Sequence, residues 1–411
     1  MTGGEWCLDD GGARMTSASA TPATSSHAVA TADSPSTGER HTLLPRLSPA
    51  TDAVLFDDFR LLQASSSLAC TDADVAAFIR QRLAAIALRL ANAGRLCLQE
   101  HQLRAVRQAA FDQYARSLEV VQASAAGLDA LSDAGIALVV TKGPGIALSC
   151  HNPLERPFGD LDVIVHPNDF RHAVSVLSDC GYGPDPATLP PWRWFDTTCQ
   201  EAVNLHSNDG GSIDVHHHVP PWLWARYIRP KGLIADAHDV SFCGYHLPLV
   251  SPNHNLLISS LHIVSDRNRP GETLMAWRDL LVLASTCDPG EVLALSDGYK
   301  LTGWLRWIMS QLPPDVRPEG LWSALSHSRR PVAHRVRLFL LSPPAVGSRH
   351  MIGQAFRLPA RNAVCYLAGM VFPSRHFLAS HSPNTRPRYR TWWRTSLKGM
   401  LRPRAPHGAK G

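Results

Sequence analysis

Three aspartates carry the chemistry that this chain offers. Asp160 and Asp162 stand two residues apart in Arg156-Pro-Phe-Gly-Asp-Leu-Asp-Val-Ile-Val165, and Asp214 lies in Ile213-Asp-Val-His216. The segment Asp160–Val165 reads as a strand, and in a strand residues i and i+2 point to the same face. Asp160 and Asp162 therefore project together from the strand's start, beside a loop holding Arg156 and Gly159. Two carboxylates this close repel unless a cation lies between them. Mg²⁺ is the natural candidate, because it favours carboxylate oxygens and substrate phosphates. Asp214, on a neighbouring strand, supplies a third carboxylate and completes a site for two Mg²⁺ ions roughly 3.5–4 Å apart. In such a site one ion activates an attacking hydroxyl and the other steadies a triphosphate.

Upstream, Lys142-Gly-Pro-Gly145 joins a strand to a short helix. Glycine lets the backbone approach a phosphate, and a helix N-terminus favours anions. Gly143 fits that role, and Lys142 and Arg156 supply positive charge for the phosphates. Downstream, Asp214, His216 and His218 share one strand face, a donor set that suits Zn²⁺. No second cluster with ligand spacing accompanies it. The expectation is that His216 orients Asp214, His218 lines the cleft or packs, and His217 faces the other way.

The elements that must position these residues follow from apolar periodicity. Thr71-Asp-Ala-Asp74 has the form of a capping box, and Val75, Phe78, Ile79, Leu83, Ile86 and Leu90 make one helical stripe behind it. A second helix runs through Leu103, Val106, Tyr114 and Val121 to about Asp133, where Gly135 ends it. The period then changes. Strands are predicted at 136–140 and 160–165, with a short helix at 146–150 between them. A helix opened by Pro167-Asn-Asp169 carries Phe170, Val174 and Leu177 on one face. Strands at 201–206 and 212–219 flank Asn208-Asp-Gly-Gly211, a hairpin signal. After Pro220-Pro221 the pattern is helical again, at roughly 253–265, 272–287 and 299–312, followed by basic helical pieces to about 404.

The fold class is thus α+β, a small mixed-sheet core with helical regions on both sides. The expected division is a disordered N-terminal segment at 1–50, a helical region at 51–135, the α/β core at 136–220, a helical region at 221–320, and a basic helical region with a flexible end at 321–411.

Composition narrows the class. The chain has 411 residues, 45% apolar and 18% charged, which excludes wholesale disorder and a collagen-like or coiled-coil rod. No apolar run reaches the roughly 20 residues that span a bilayer. With no signal-peptide pattern and nine scattered cysteines lacking CxxC spacing, a cytoplasmic protein with reduced thiols is expected. Net charge is +5, unevenly placed: no Asp or Glu follows Glu319, while residues 321–411 hold 16 of the 40 Lys and Arg. Such a tail either docks on the acidic body or meets an anionic partner, nucleic acid or a membrane surface. Tyr389, Trp392 and Trp393 among Arg386, Arg388, Arg390 and Arg394 fit either partner. Trp192, Trp194, Trp222 and Trp224 read as core or groove aromatics, or as a stacking surface for a base.

The ordered set of motifs resembles a known family. Val140-Thr-Lys-Gly-Pro-Gly-Ile-Ala-Leu148, Arg156-Pro-Phe-Gly-Asp-Leu-Asp-Val-Ile-Val165, the Leu177…Gly181-Tyr182 helix end and Ile213-Asp-Val-His216 are similar to the uncharacterised nucleotidyltransferase family of the DNA polymerase beta superfamily. Pro252…Leu256-Leu257…His262, Trp277-Arg-Asp-Leu280, Phe372-Pro-Ser374 and the run to Leu401-Arg-Pro403 extend the likeness from about Asp52 to Arg404. Lys142-Gly143 stands where the superfamily usually has Gly-Ser. The resemblance implies a nucleotidyltransferase core in which Asp160, Asp162 and Asp214 hold Mg²⁺. It implies transfer of a nucleoside monophosphate from an NTP to an acceptor, a small molecule, a glycan precursor or a protein, with release of pyrophosphate. The alternative is a catalytically silent binding or scaffold protein on the same fold, its basic tail contacting an anionic partner.

Overall fold

Residues 44–45, 47–60, 67–184, 199, 202–219, 227–266, 274–327, 355, 358–380, 389 and 393 are described in the computed structural model. They all belong to the compact unit Thr42–Gly411. Most of the segment expected to be disordered, the four tryptophans around the hairpin, and the arginines flanking Tyr389 and Trp393 lie outside the described residues.

The helical N-terminal part begins at α1 (Pro49–Phe56), whose N-cap Ser48 accepts a hydrogen bond from the Thr51 amide. The short β1 (Leu68–Ala69) follows, then α2 (Asp72–Arg80), which starts at the expected capping box between Thr71 and Asp74. The apolar stripe from Val75 to Leu90 divides into two helices, not one. Arg82 adopts φ 60°, which stops α2 and allows α3 (Ala84–Asn92) to start in a new direction. Phe78, Leu83 and Ile86 are fully buried by this fold-back. After β2 (Leu96–Cys97), which pairs with β1, comes the long α4 (Glu100–Asp133).

The sheet is then laid down as β3 (Leu138–Thr141), α5 (Gly143–Ala147), β4 (Leu161–Val165), α6 (Phe170–Asp179), β5 (Gly183–Pro184), β6 (Ala202–His206) and β7 (Ser212–His216). Beyond α7 (Pro230–Ala235) the chain adds two more strands, β8 (His238–Phe242) and β9 (Tyr245–Leu249). The seven strands are ordered β5-β6-β7-β4-β3-β9-β8. Pairs β4/β7 and β3/β9 are parallel and the others antiparallel, so the sheet is mixed, as expected.

The hairpin β8–β9 extends the sheet past residue 220, into a stretch read from the sequence as helical. Its exposed side carries His238, Asp239 and Ser241, and Pro248 interrupts the apolar pattern of β9, so the alternation is faint. Cys243 at φ 52° and Gly244 at φ 84° form its two-residue turn, which requires positive φ at both positions.

Side-chain alternation splits the sheet between two cores. Leu161, Val163, Val165, Ile213 and Val215 face α4 and α6. Val139 and Ile164 face the other way. There they meet α1–α3 and the C-terminal helices α8 (Pro252–Asp266), α9 (Leu274–Thr286), α10 (Pro289–Gly298), α11 (Thr302–Met309) and α12 (Glu319–Ser326). Asp162, two residues before Ile164, belongs to this second face. Helices α13 (Ala360–Val371) and α14 (Arg375–Ser380) close the described chain.

Candidate active site

Strand register brings the carboxylates together. In the parallel β4/β7 pair Asp162 is the direct partner of Asp214. His216 follows two residues after Asp214 on the same face. Its Nε2 lies 3.0 Å from Asp162 Oδ1 and 3.1 Å from Asp214 Oδ2. One ligand atom from each of Asp162, Asp214 and His216 falls within 4.8 Å of the others.

Antiparallel β3 places Thr141 opposite Asp162, so the chain leaves the strand at Lys142 beside that carboxylate. Lys142 Nζ donates to Asp162 Oδ1 at 2.9 Å. The Lys142 backbone is unusual, with φ 54° and ψ −120°, and its amide is held by Asn255 Oδ1 of α8 at 2.8 Å.

Electrostatics follow from this arrangement. Burial opposes the ionised form of Asp162, but Lys142 and His216 outweigh it and hold the carboxyl far below its ordinary range. Burial likewise disfavours a charged His216, yet Asp214 and Asp162 push it up to about 10. The Lys142 ammonium is kept charged against burial by Asp162, with help from Asp160 and Asp214. The imidazolium and the ammonium thus supply the positive charge that two facing carboxylates require.

Asp160 sits in a bend just before β4, not within the strand. It is not one of the three residues in the 4.8 Å group. Burial and the like charge of Asp162 raise its pKa, while Lys142 and Arg82 draw it back. It therefore stands at the edge of the same charged cleft.

The loop leading to Asp160 is firmly tied. The Phe158 amide donates to Ser117 Oγ of α4 at 2.8 Å, and that hydroxyl lies 2.9 Å from the Phe158 carbonyl. Arg156 is engaged as well: its Nε donates to Asp279 Oδ1 of α9 at 2.6 Å and its Nη1 to the Pro157 carbonyl at 2.7 Å. Both partners of that ion pair are buried, and the Asp162 carboxylate acts on Arg156 as well. Next to it, Arg278 and Arg89 share Glu155 and Asp58, which joins α3, α9 and the turn at Pro153–Glu155. Gly143 opens the five-residue α5, with the Phe158 ring 3.1 Å from where its Cβ would stand.

Two contributors were not read from the sequence. Asn255 sits in an ordinary helical stretch, with no motif marking it as the clamp on Lys142. Arg82 lies outside the sheet motifs. Its exposed guanidinium faces Gly159, whose Cβ would stand 3.5 Å from Nη2, and it makes no ion pair among the described residues. Positive φ at Arg82 is the local reason it reaches this loop.

The triple histidine is divided. Strand β7 ends at His216, so alternation does not carry on to His218. The His217 and His218 rings lie 4.5 Å apart, and His217 packs on Phe170 at 4.4 Å. Burial, then His217, lowers His218 to about 4.

The donor set fits a divalent cation. Asp162 and Asp214 offer oxygens from adjacent strands, their negative charge is already gathered at one point, and His216 Nε2 becomes a third donor on releasing its proton.

The chain belongs to the uncharacterised nucleotidyltransferase family, whose profile matches residues 72–301 and so includes α2 through Leu301 with every residue of the cleft. Among solved structures it is similar to an antigenic nucleotidyltransferase-like protein from Paracoccidioides brasiliensis, at 18% identity, 53% of this chain, 96% of that chain and a TM-score of 0.33. No curated protein sequence matches it. The family supports nucleotidyl transfer as the general role.

Proposed function

We propose that the protein transfers a nucleoside monophosphate from an NTP to a hydroxyl-bearing acceptor, with Mg²⁺ held by Asp160, Asp162 and Asp214. The observation that carries this is the in-register pair Asp162–Asp214, with a third donor within 4.8 Å. The bound Mg²⁺ would neutralise phosphate charge and lower the pKa of the attacking hydroxyl. Asp214 accepts the hydroxyl proton. A bond forms between the acceptor oxygen and the α-phosphorus, the bond from that phosphorus to the β-phosphate bridge breaks, and pyrophosphate leaves. Lys142 and Arg82 contact the triphosphate, Gly159 lets it lie close to the backbone, Gly143 seats the Phe158 ring that backs this loop, and Arg156, held by Asp279, adds positive potential. His216 orients Asp214 and Asp162 through its Nε2. Positioning and preset charge provide most of the rate.

Purified protein with Mg²⁺ and radiolabelled NTP tests this. Turnover is expected in the wild type and none in Asp160→Ala. Equal turnover in that variant removes the assignment.

One observation favours a second reading. Lys142 and His216 already satisfy the carboxylates, an arrangement that also suits a binding protein without catalysis. Calorimetry with a non-hydrolysable NTP and Mg²⁺ separates the two: absence of binding supports the silent form.

A further inference from the structure

Helix α13 carries no acidic residue, and its exposed side is apolar. Val364 is 68% exposed, Leu367 38% and Val371 42%. Their spacing of three and four residues puts them on one stripe. Phe372, 58% exposed, continues it. The rings of Tyr389 and Trp393 gather at the same end. Trp393 Nε1 donates to the Val371 carbonyl at 2.7 Å and Tyr389 Oη to the Pro373 carbonyl at 2.9 Å. The polar tips are thereby satisfied while both rings stay more than a third exposed, with Phe372 and Trp393 6.0 Å apart. Exposed Arg361 and Arg375 stand at the two ends of the patch. In the sequence, the stretch from residue 321 onward has 16 Lys and Arg and no Asp or Glu.

We infer that this face docks on an anionic lipid bilayer, lying in the interface without crossing it. Three features argue for that occupant. Aliphatic side chains and aromatic rings flanked by Arg361 and Arg375, in a stretch of sequence without acids, match an interfacial helix, which buries its apolar face at the headgroup boundary while Lys and Arg meet anionic lipid. Nucleic acid would use the arginines and stack on the rings, but it offers nothing that buries Val364, Leu367 and Val371. A second copy would bring another tail of the same strong positive charge. No helix among the described residues is long and apolar enough to cross a membrane.

Sedimentation of the full chain with vesicles tests the inference independently of any nucleotide chemistry. Vesicles of phosphatidylcholine with phosphatidylglycerol are expected to pull the protein down at low salt, and phosphatidylcholine alone to leave it in solution. Replacing Val364 and Val371 together by Ser, at exposed positions, should weaken partitioning by about tenfold with the melting temperature unchanged. Should that double variant melt early, Phe372→Ser serves in its place. The inference is overturned by any of three results: no sedimentation with the anionic vesicles, sedimentation that the Ser variants leave unchanged, or a wild-type dimer that those variants dissociate. Tight binding of a single-stranded oligonucleotide that the Ser variants do not weaken, without vesicle binding, would assign the tail to nucleic acid instead.

Discussion

Asp162 of β4 and Asp214 of β7 are direct neighbours across a parallel strand pair, and His216 Nε2 touches both at 3.0 and 3.1 Å. Parallel pairing sets both side chains on one face at one level, so the carboxylates converge without help from a flexible loop. The rest of the cleft is arranged around that convergence, and its supports can be tested one by one.

Lys142 holds a backbone conformation, φ 54° and ψ −120°, that glycine accepts far more readily than any L side chain. Strain of this kind persists where the surroundings impose it and clusters at functional sites. Lys142→Gly is therefore expected to be more stable than Lys142→Ala by about 1 kcal/mol, since both lack the amine and only the alanine keeps the strain. Urea unfolding of the two variants measures the difference. Both should lose nucleotide binding relative to wild type, and a less stable glycine variant would contradict the strain.

Gly145 approaches Asn255 so closely that a Cβ would stand 2.7 Å from Nδ2. That amide group holds the Lys142 N–H. Gly145→Ala should push Asn255 aside and loosen Lys142, with a loss of NTP affinity well before any loss of folding. Calorimetry paired with thermal melting distinguishes this from general destabilisation.

Arg278 is buried between Asp58 and Glu155. Removing one partner of a buried ion network strands the others, so Arg278→Met should cost about 3 kcal/mol. The midpoint of chemical unfolding reports it, and no change would mean that Arg89 alone suffices for both acids.

The same network predicts a pH dependence. Burial raises the Asp58 pKa, but hydrogen bonds and charge from Arg89 and Arg278 lower it below 3.8 overall. A carboxylate with a depressed folded pKa adds stability above its unfolded value and loses it as pH falls through the folded one. Melting temperature should therefore fall below about pH 4 in the wild type, and Asp58→Asn should flatten that acid limb. Parallel curves for the two would remove Asp58 from the account.

Much of this was legible in the sequence, because helix and hairpin signals are local. The capping box at Thr71, the long helix to Asp133, and the hairpin around Asn208–Gly211 all form where their residues indicate. Asp160 and Asp162 stood out because two carboxylates two residues apart on a strand call for a cation, with Asp214 as a third acid on a later strand. What escaped depends on contacts remote in sequence. Nothing local announces that β4 and β7 pair in this register, that Asp279 pairs with Arg156, or that Asn255 clamps Lys142. Asp160 illustrates the limit of the alternation rule: the strand starts at Leu161, so the shared face predicted for Asp160 and Asp162 depends on a bend. The β8–β9 hairpin escaped because its solvent side is polar and its apolar side holds few residues.

Divalent-cation binding is the most direct test of the cleft. Mn²⁺ titration followed by electron paramagnetic resonance, with a non-hydrolysable NTP present, should show tight binding in the wild type and at least about tenfold weaker binding in Asp162→Asn and in Asp214→Asn. Wild-type affinity retained in both variants would show that the paired aspartates do not hold the ion.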